Sequence, residues 1–235
     1  MSRFVSLVLR VFVFLYLIVL FLGMGLALVP AILLVQAGWD SGSILLFGLS
    51  LGAGYLVFGM SFLLLIVLLK HATFFRARPG DYPFVSLYAL RWAVIGSFVG
   101  LAKVVILRHL LGMPLLNLFY RLMGARIGRD VVINSCNIFD FDLLEIGDDT
   151  LLGGDCVVIG HVGEQGMLRL RPVSIGKGCT VGQSSVVFPG AVMEDGAVLG
   201  ALSLLPKERR LPAGTRWGGN PLVRIERGIV EPGDG

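Results

Sequence analysis

The amino-acid sequence predicts a membrane α-helical hairpin followed by a parallel β-helix, and three observations carry that prediction. In the second half an aliphatic residue recurs every six positions, usually followed by glycine: Ile127-Gly128, Ile146-Gly147, Leu152-Gly153, Ile175-Gly176, Val181-Gly182, Val187, Met193 and Leu199-Gly200. Such a beat marks a solenoid whose turns fold only by stacking on their neighbours. The fourth residue after each anchor is compact, as an interior position demands: Val131, Thr150, Cys156, Cys179, Ser185, Ala191, Ala197 and Ser203. The first half, by contrast, is built of long apolar runs.

Those runs come first in the chain. With 55% hydrophobic and only 15% charged residues among 235, part of the protein belongs in lipid. Phe4 to Val35 carries no charge except Arg10, and Ile44 to Leu69 carries none. Each exceeds the ~20 residues that cross a bilayer, and the first is far longer than the roughly 7–15 apolar residues of a secretory signal. Two transmembrane helices over residues 1–75 are therefore expected. Arg3 and Arg10 precede them, Lys70, Arg76 and Arg78 follow, and the connecting turn holds only Asp40. Cations mark the cytoplasmic side, so both ends of the hairpin, and the β-helix with them, are expected at the cytoplasmic face of a bacterial-type inner membrane.

A linker with interfacial helices is expected over 76–126. The run from Arg76 to Pro83 contains prolines and glycine that break a helix. Residues 84–111 turn apolar again, but Arg91, Lys103 and Arg108 do not share one helical face. An interfacial or partly embedded helix fits them better than a third full span. Gly112-Met113-Pro114 stops it, and Leu115 to Gly124 reads as a short helix leading into the first coil.

The β-helix is expected over 127–226, with 227–235 as a tail. Three hexads make one 18-residue coil, so anchors 175, 181 and 187 should lie next to 193, 199 and 205. The step from 127 to 146 is 19, which implies one bulged residue. The step from 146 to 175 is 29, which expels about eleven residues, His161 to Arg171, from the coil wall as a projecting loop. Function concentrates in loops held out from rigid scaffolds.

His161 is the one histidine of the solenoid and stands where that loop begins. Counting back 19 residues puts Asp142 one coil away, roughly 4.8 Å at strand spacing. A carboxylate there would orient an imidazole acting as general base. Asp140 and Glu164 are weaker candidate partners, each readable as a solvated acid. Cys156 and Cys179 sit at the small interior position, where packing explains them, and the three cysteines have no metal-like spacing. One histidine falls short of the three protein ligands of a catalytic zinc, so no metal site is predicted. Lys207, Arg209, Arg210, Arg216 and Arg224 supply cations that could meet the phosphates of coenzyme A, or form a solvated or lipid-facing basic rim. The charge comes without a nucleic-acid recognition motif.

These residues resemble the hexapeptide-repeat acyltransferase family, and Gly218-Gly219-Asn220-Pro221-Leu222-Val223-Arg224-Ile225 is similar to its closing Gly-x-Pro-Ala-Lys/Arg-x-Ile segment, with Leu222 and Val223 departing from it. The resemblance implies a left-handed parallel β-helix, a homotrimer, and active sites between subunits. The run Pro114 to Gly128 and the run Leu211 to Trp217 are similar to the carboxy-terminal membrane region of poly-lysine synthase and related non-ribosomal-peptide-synthetase-like proteins, where a histidine matches His161. The function implied by this resemblance is that of a membrane-anchored acyltransferase. It would take an acyl or aminoacyl group from acyl-CoA or a phosphopantetheine-linked carrier, with no permanently bound cofactor, and pass it to a hydroxyl or amine. Partners would be lipid, two further copies of the chain and a small-molecule or carrier-linked substrate. The alternatives are a non-catalytic trimeric scaffold that docks a synthetase, and a transporter. The two long spans hold no central ionisable residue to serve transport.

Overall fold

The computed structural model describes residues 3–225, with side chains from Leu17 onward. The tail expected over 227–235 and the side chains of Arg3 and Arg10 lie outside the described residues. The chain divides into two compact units. One comprises the stretch up to Phe75 together with Leu90–His109, and the other comprises Arg76–Ala89 and the chain from Leu110 on.

In the first unit α1 runs over Arg3–Asp40 and α2 over Ile44–Ala72. Gly42 turns the chain at φ 68°, and Ser43 caps α2 by accepting the Leu46 N–H. α3, Leu87–Val105, packs its later residues on this pair: the Phe98 ring lies 6.2 Å from that of Phe62, and the Tyr55 hydroxyl donates to the Val105 carbonyl. Leu17–Asp40, α2 and α3 are each long and apolar enough to cross a membrane. The interfacial segment expected over 84–111 is thus a regular helix of 19 residues, about 28 Å at 1.5 Å per residue, a length sufficient for a span despite Arg91 and Lys103.

The second unit is a three-sided parallel β-helix. Its faces are ladders of two- and three-residue strands, five-, six- and three-stranded. Ile175 pairs with Met193, Val181 with Leu199 and Val187 with Leu205, the predicted 18-residue register. All eight compact residues are buried, as are all the anchors except half-buried Ile127. The glycine after an anchor has a steric cause. A Cβ on Gly182 would lie 2.3 Å from the Ala201 backbone nitrogen on the next coil, closer than any side chain tolerates. Glycine takes this corner at 153, 182, 200 and 218 on the six-stranded face and at 128, 147 and 176 on the five-stranded face, whereas Asn134, Glu194 and Pro212 stand there on other coils of these faces and Ile159, Phe188 and Pro206 on the third face.

The first coil is covered by α4, Pro114–Leu122. Its Asn117 side chain donates to the Val131 carbonyl at 2.6 Å, and Arg121 donates to the carbonyls of Ile127 and Gly128. The segment expelled between 161 and 171 is a β-hairpin, His161–Glu164 antiparallel to Met167–Leu170. A third strand, Gly80–Pro83, pairs antiparallel with Met167–Leu170.

Candidate active site

His161 opens the hairpin, and its setting comes from an irregularity in the first coil. From Ile133 to Ile138 the coil uses five residues, and from Ile138 to Ile146 eight, where the coil above uses six from Leu152 to Val158. The extra residues form a 3-10 turn, Phe141–Leu143, entered through Asp140 at φ 54°. Aspartate tolerates this left-handed conformation better than most residues. Phe141 anchors the turn by packing 4.9 Å from the ring of Tyr120 on α4.

Asp140 Oδ2 accepts two hydrogen bonds, from the Gly160 N–H at 2.9 Å and from His161 Nδ1 at 2.6 Å. The Asp140 side chain is 2% exposed and the His161 side chain 26%. Because an aspartate oxygen only accepts, Nδ1 carries the proton and Nε2 is the basic nitrogen. The Phe139 ring meets the imidazole edge-on at 5.9 Å. A Cβ on Gly160 would come within 3.1 Å of Asp140 Cβ and of the Arg171 carbonyl, so the close approach suits glycine. The arrangement is a partly exposed imidazole oriented by a buried carboxylate, which is what general-base chemistry requires.

The 19-residue spacing points to Asp142 as the partner, and the structure corrects this to Asp140. Around 158 the local offset is 20 residues, Ile138 pairing with Val158, because the five-residue and eight-residue segments shift the register by minus one and plus two. The total of 19 conceals both. Asp142 points elsewhere: Oδ2 accepts the Ala77 N–H at 2.9 Å, and Oδ1 lies 4.0 Å from Arg76 Nε.

The carboxy-terminal cations are not one cluster. Lys207 is ion-paired with Glu164 on the hairpin, and that pairing holds the Glu164 carboxyl below the usual glutamate range. The Arg209 guanidinium stacks 5.4 Å from the centre of the Trp217 ring, and Trp217 faces Arg224 across an antiparallel pair. Arg216 precedes Trp217 on the strand and so projects to the other face. Arg210 pairs with Glu194 at 2.9 Å.

A brace around the hairpin has no counterpart in the sequence reading. Arg171 Nη1 reaches Asp81 Oδ1 at 2.7 Å and donates to the carbonyls of Gly80 and Leu170. Its Nε lies 3.9 Å from Glu208. The Arg171 hydrogen bond keeps the Asp81 carboxyl below the usual aspartate range. One guanidinium thereby ties the base of the hairpin to the strand before α3 and to a lower coil. No periodic signal marks a pair ninety residues apart. Cys156 and Cys179 are buried, and burial pushes the first thiol up to about 12 and raises the second; neither is a nucleophile near neutral pH.

The family profile described as "Hexapeptide repeat of succinyl-transferase" matches residues 144–163 and 172–201. Over 169 residues, 72% of this chain, the sequence is 30% identical to Delta-poly-L-ornithine synthetase of Acinetobacter baumannii (strain AB307-0294), of which it spans 13%. It is 31% identical over 134 residues to WcaF of Escherichia coli (strain K12), which carries the name colanic acid biosynthesis acetyltransferase, covering 46% of this chain and 72% of that one. Among solved structures, a maltose O-acetyltransferase from Clostridium difficile 630 superposes with a TM-score of 0.45 at 16% identity, over 63% of this chain and 92% of the other. Stacked hexads in register, the matching repeat profile and the relation to WcaF make this chain a member of the hexapeptide-repeat acyltransferase family.

Proposed function

We propose that this protein is a membrane-anchored acyltransferase that moves an acyl or aminoacyl group from a thioester to a hydroxyl or amine at the cytoplasmic leaflet. The observation that carries the reading is the 2.6 Å contact between His161 Nδ1 and the buried Asp140 carboxylate at the root of the hairpin. The acceptor O–H or N–H gives its proton to Nε2 while its lone pair attacks the thioester carbonyl carbon. The tetrahedral intermediate collapses, the C–S bond breaks, and the departing sulfur takes the proton back from the imidazolium. Asp140 holds the ring and balances its charge during the step. The site is assembled between protomers of a homotrimer, where backbone N–H groups steady the oxyanion.

Anchoring is supported by the three apolar helices and by the cations that flank the first two. The donor is acyl-CoA or a carrier-bound thioester; the relation to a polyamino-acid synthetase favours including an aminoacyl-loaded carrier among the donors tried. The test is thiol release by purified protein from acetyl-CoA, longer acyl-CoAs and a loaded carrier, with and without membrane extract. General-base assistance is worth about 10² to 10⁴ in rate, so His161→Ala should lose at least ~100-fold with the oligomer intact. An unchanged rate removes His161 from the mechanism, and silence with every donor replaces the enzyme by a scaffold.

A further inference from the structure

On the β-helix unit a recess of about 340 Å³ is lined by Arg76, Arg78, Pro79, Arg126, Leu143 and Pro172, with Asp142 beneath them. We propose that it binds a phosphate ester, carried either by a membrane phospholipid headgroup or by a soluble organic phosphate.

Three features argue for a built site. The segment bearing Arg76 and Arg78 is pinned by its backbone. Ala77 N–H donates to Asp142, Arg78 N–H donates to the Tyr88 hydroxyl at 2.6 Å, and the Tyr82 hydroxyl donates to the Arg78 carbonyl. The two tyrosine rings stack 3.7 Å apart behind it. Prolines 79 and 172 stiffen two further walls. A preorganised frame spares a ligand most of the ordering cost of binding.

The charge balance points outward. The Asp142 side chain is 7% exposed, with Oδ2 accepting the Ala77 N–H and Oδ1 4.0 Å from Arg76 Nε, whereas the Arg76 and Arg126 side chains are 71% and 76% exposed. Arg126 is held by Glu145 at 2.6 Å, an exposed pair of the kind that contributes little and yields readily to a stronger anion. Arg78 has no carboxylate within 4.0 Å among the described residues. Several guanidiniums converging on one small recess suit a tetrahedral group with three free oxygens better than a planar carboxylate, which one arginine satisfies.

The recess also adjoins the catalytic turn. Asp140 opens the 3-10 turn and holds His161, Asp142 lies within the turn and floors the recess, and the recess wall Leu143 donates its N–H to the Asp140 carbonyl. Resting on the proposed acyltransfer, the phosphate ester is then part of the acceptor. Only four positions separate Ala72, the last residue of α2, from Arg76, at most about 14 Å of extended chain, which suits a headgroup.

The experiment is calorimetric titration of the full chain in detergent with dihexanoyl-phosphatidic acid, glycerol 3-phosphate and, as carboxylate control, succinate. Saturable binding of the first alone assigns the site to a lipid headgroup, and binding of both phosphates assigns it to the phosphate ester whatever its source. Arg76→Gln with Arg78→Gln should weaken either at least tenfold, and Arg126→Gln, on a separate strand, should weaken it as well if the double variant fails to fold. His161→Ala should bind unchanged, which separates this site from the catalytic reading. Binding of neither phosphate, equal binding of succinate, or full affinity in the folded glutamine variants overturns the proposal.

Discussion

Replacing Asp140 by asparagine isolates the charge behind the candidate base while keeping its size. In the folded protein one carboxylate oxygen serves both the Gly160 N–H and His161 Nδ1, and an asparagine carbonyl oxygen can occupy the same place. The substitution removes the negative charge that faces the imidazole as it becomes cationic. Centres about 4 Å apart attract by about 4 kcal/mol at an effective dielectric constant of 20, and a charge-assisted hydrogen bond contributes about 1.5–3 kcal/mol net. Taking 2–4 kcal/mol as the approximate loss in the transition state, kcat should fall roughly 30- to 900-fold, with KM for the thioester little changed. The assay is initial-rate thiol release at saturating donor and acceptor, alongside His161→Ala. A variant within threefold of the parent, with His161→Ala inactive, would reduce Asp140 to a structural turn residue.

Gly182→Ala should destabilise the protein by about 3 kcal/mol, because its Cβ meets backbone at 2.3 Å, whereas Gly200→Ala, whose nearest neighbour would be at 3.4 Å, should cost less than about 1 kcal/mol; thermal unfolding of the two variants compares them. Native protein at pH 8 should leave Cys136, Cys156 and Cys179 unlabelled by a thiol reagent, and unfolded protein should label all three. Asp81 and Glu164 have folded-state carboxyls lowered by Arg171 and Lys207, so the hairpin brace is complete above the ordinary carboxylate range and is lost as pH falls through the lowered values. Hydrogen exchange at residues 161–170, corrected for intrinsic rates, should be constant from about pH 7 to 5 and rise below about pH 4; equal protection at about pH 3 would show the brace to be dispensable.

The coil architecture was legible because stacking is a local, repeated constraint. Anchors such as Val181 and compact partners such as Ser185 must recur at fixed spacing, and the glycine at 182 is demanded by the backbone of the next coil. The projecting segment was equally plain, since eleven extra residues between Ile146 and Ile175 cannot fit a wall of hexads. The identity of the carboxylate was hidden because two opposite length changes in one coil nearly cancel, leaving a sum that names the wrong neighbour. The contact between Phe141 and Tyr120, which holds the 3-10 turn in place, is a tertiary choice without a periodic trace. The same is true of Arg171, whose partners come from residues 80, 81 and 208. For α3 the length of the helix was the hidden quantity: its 19 apolar-rich residues are long enough to cross a membrane, while Arg91 and Lys103 along it are what pointed the sequence toward an interfacial position.

Helix α4 plugs one open end of the solenoid by satisfying the carbonyls of Val131, Ile127 and Gly128, and at the other end the last described strand, Val223–Arg224, runs antiparallel instead of offering a template for another coil. Among the described residues, that antiparallel pair interrupts the parallel ladder of the six-stranded face, so the run of stacked hexads on this face stops at Arg216–Gly218.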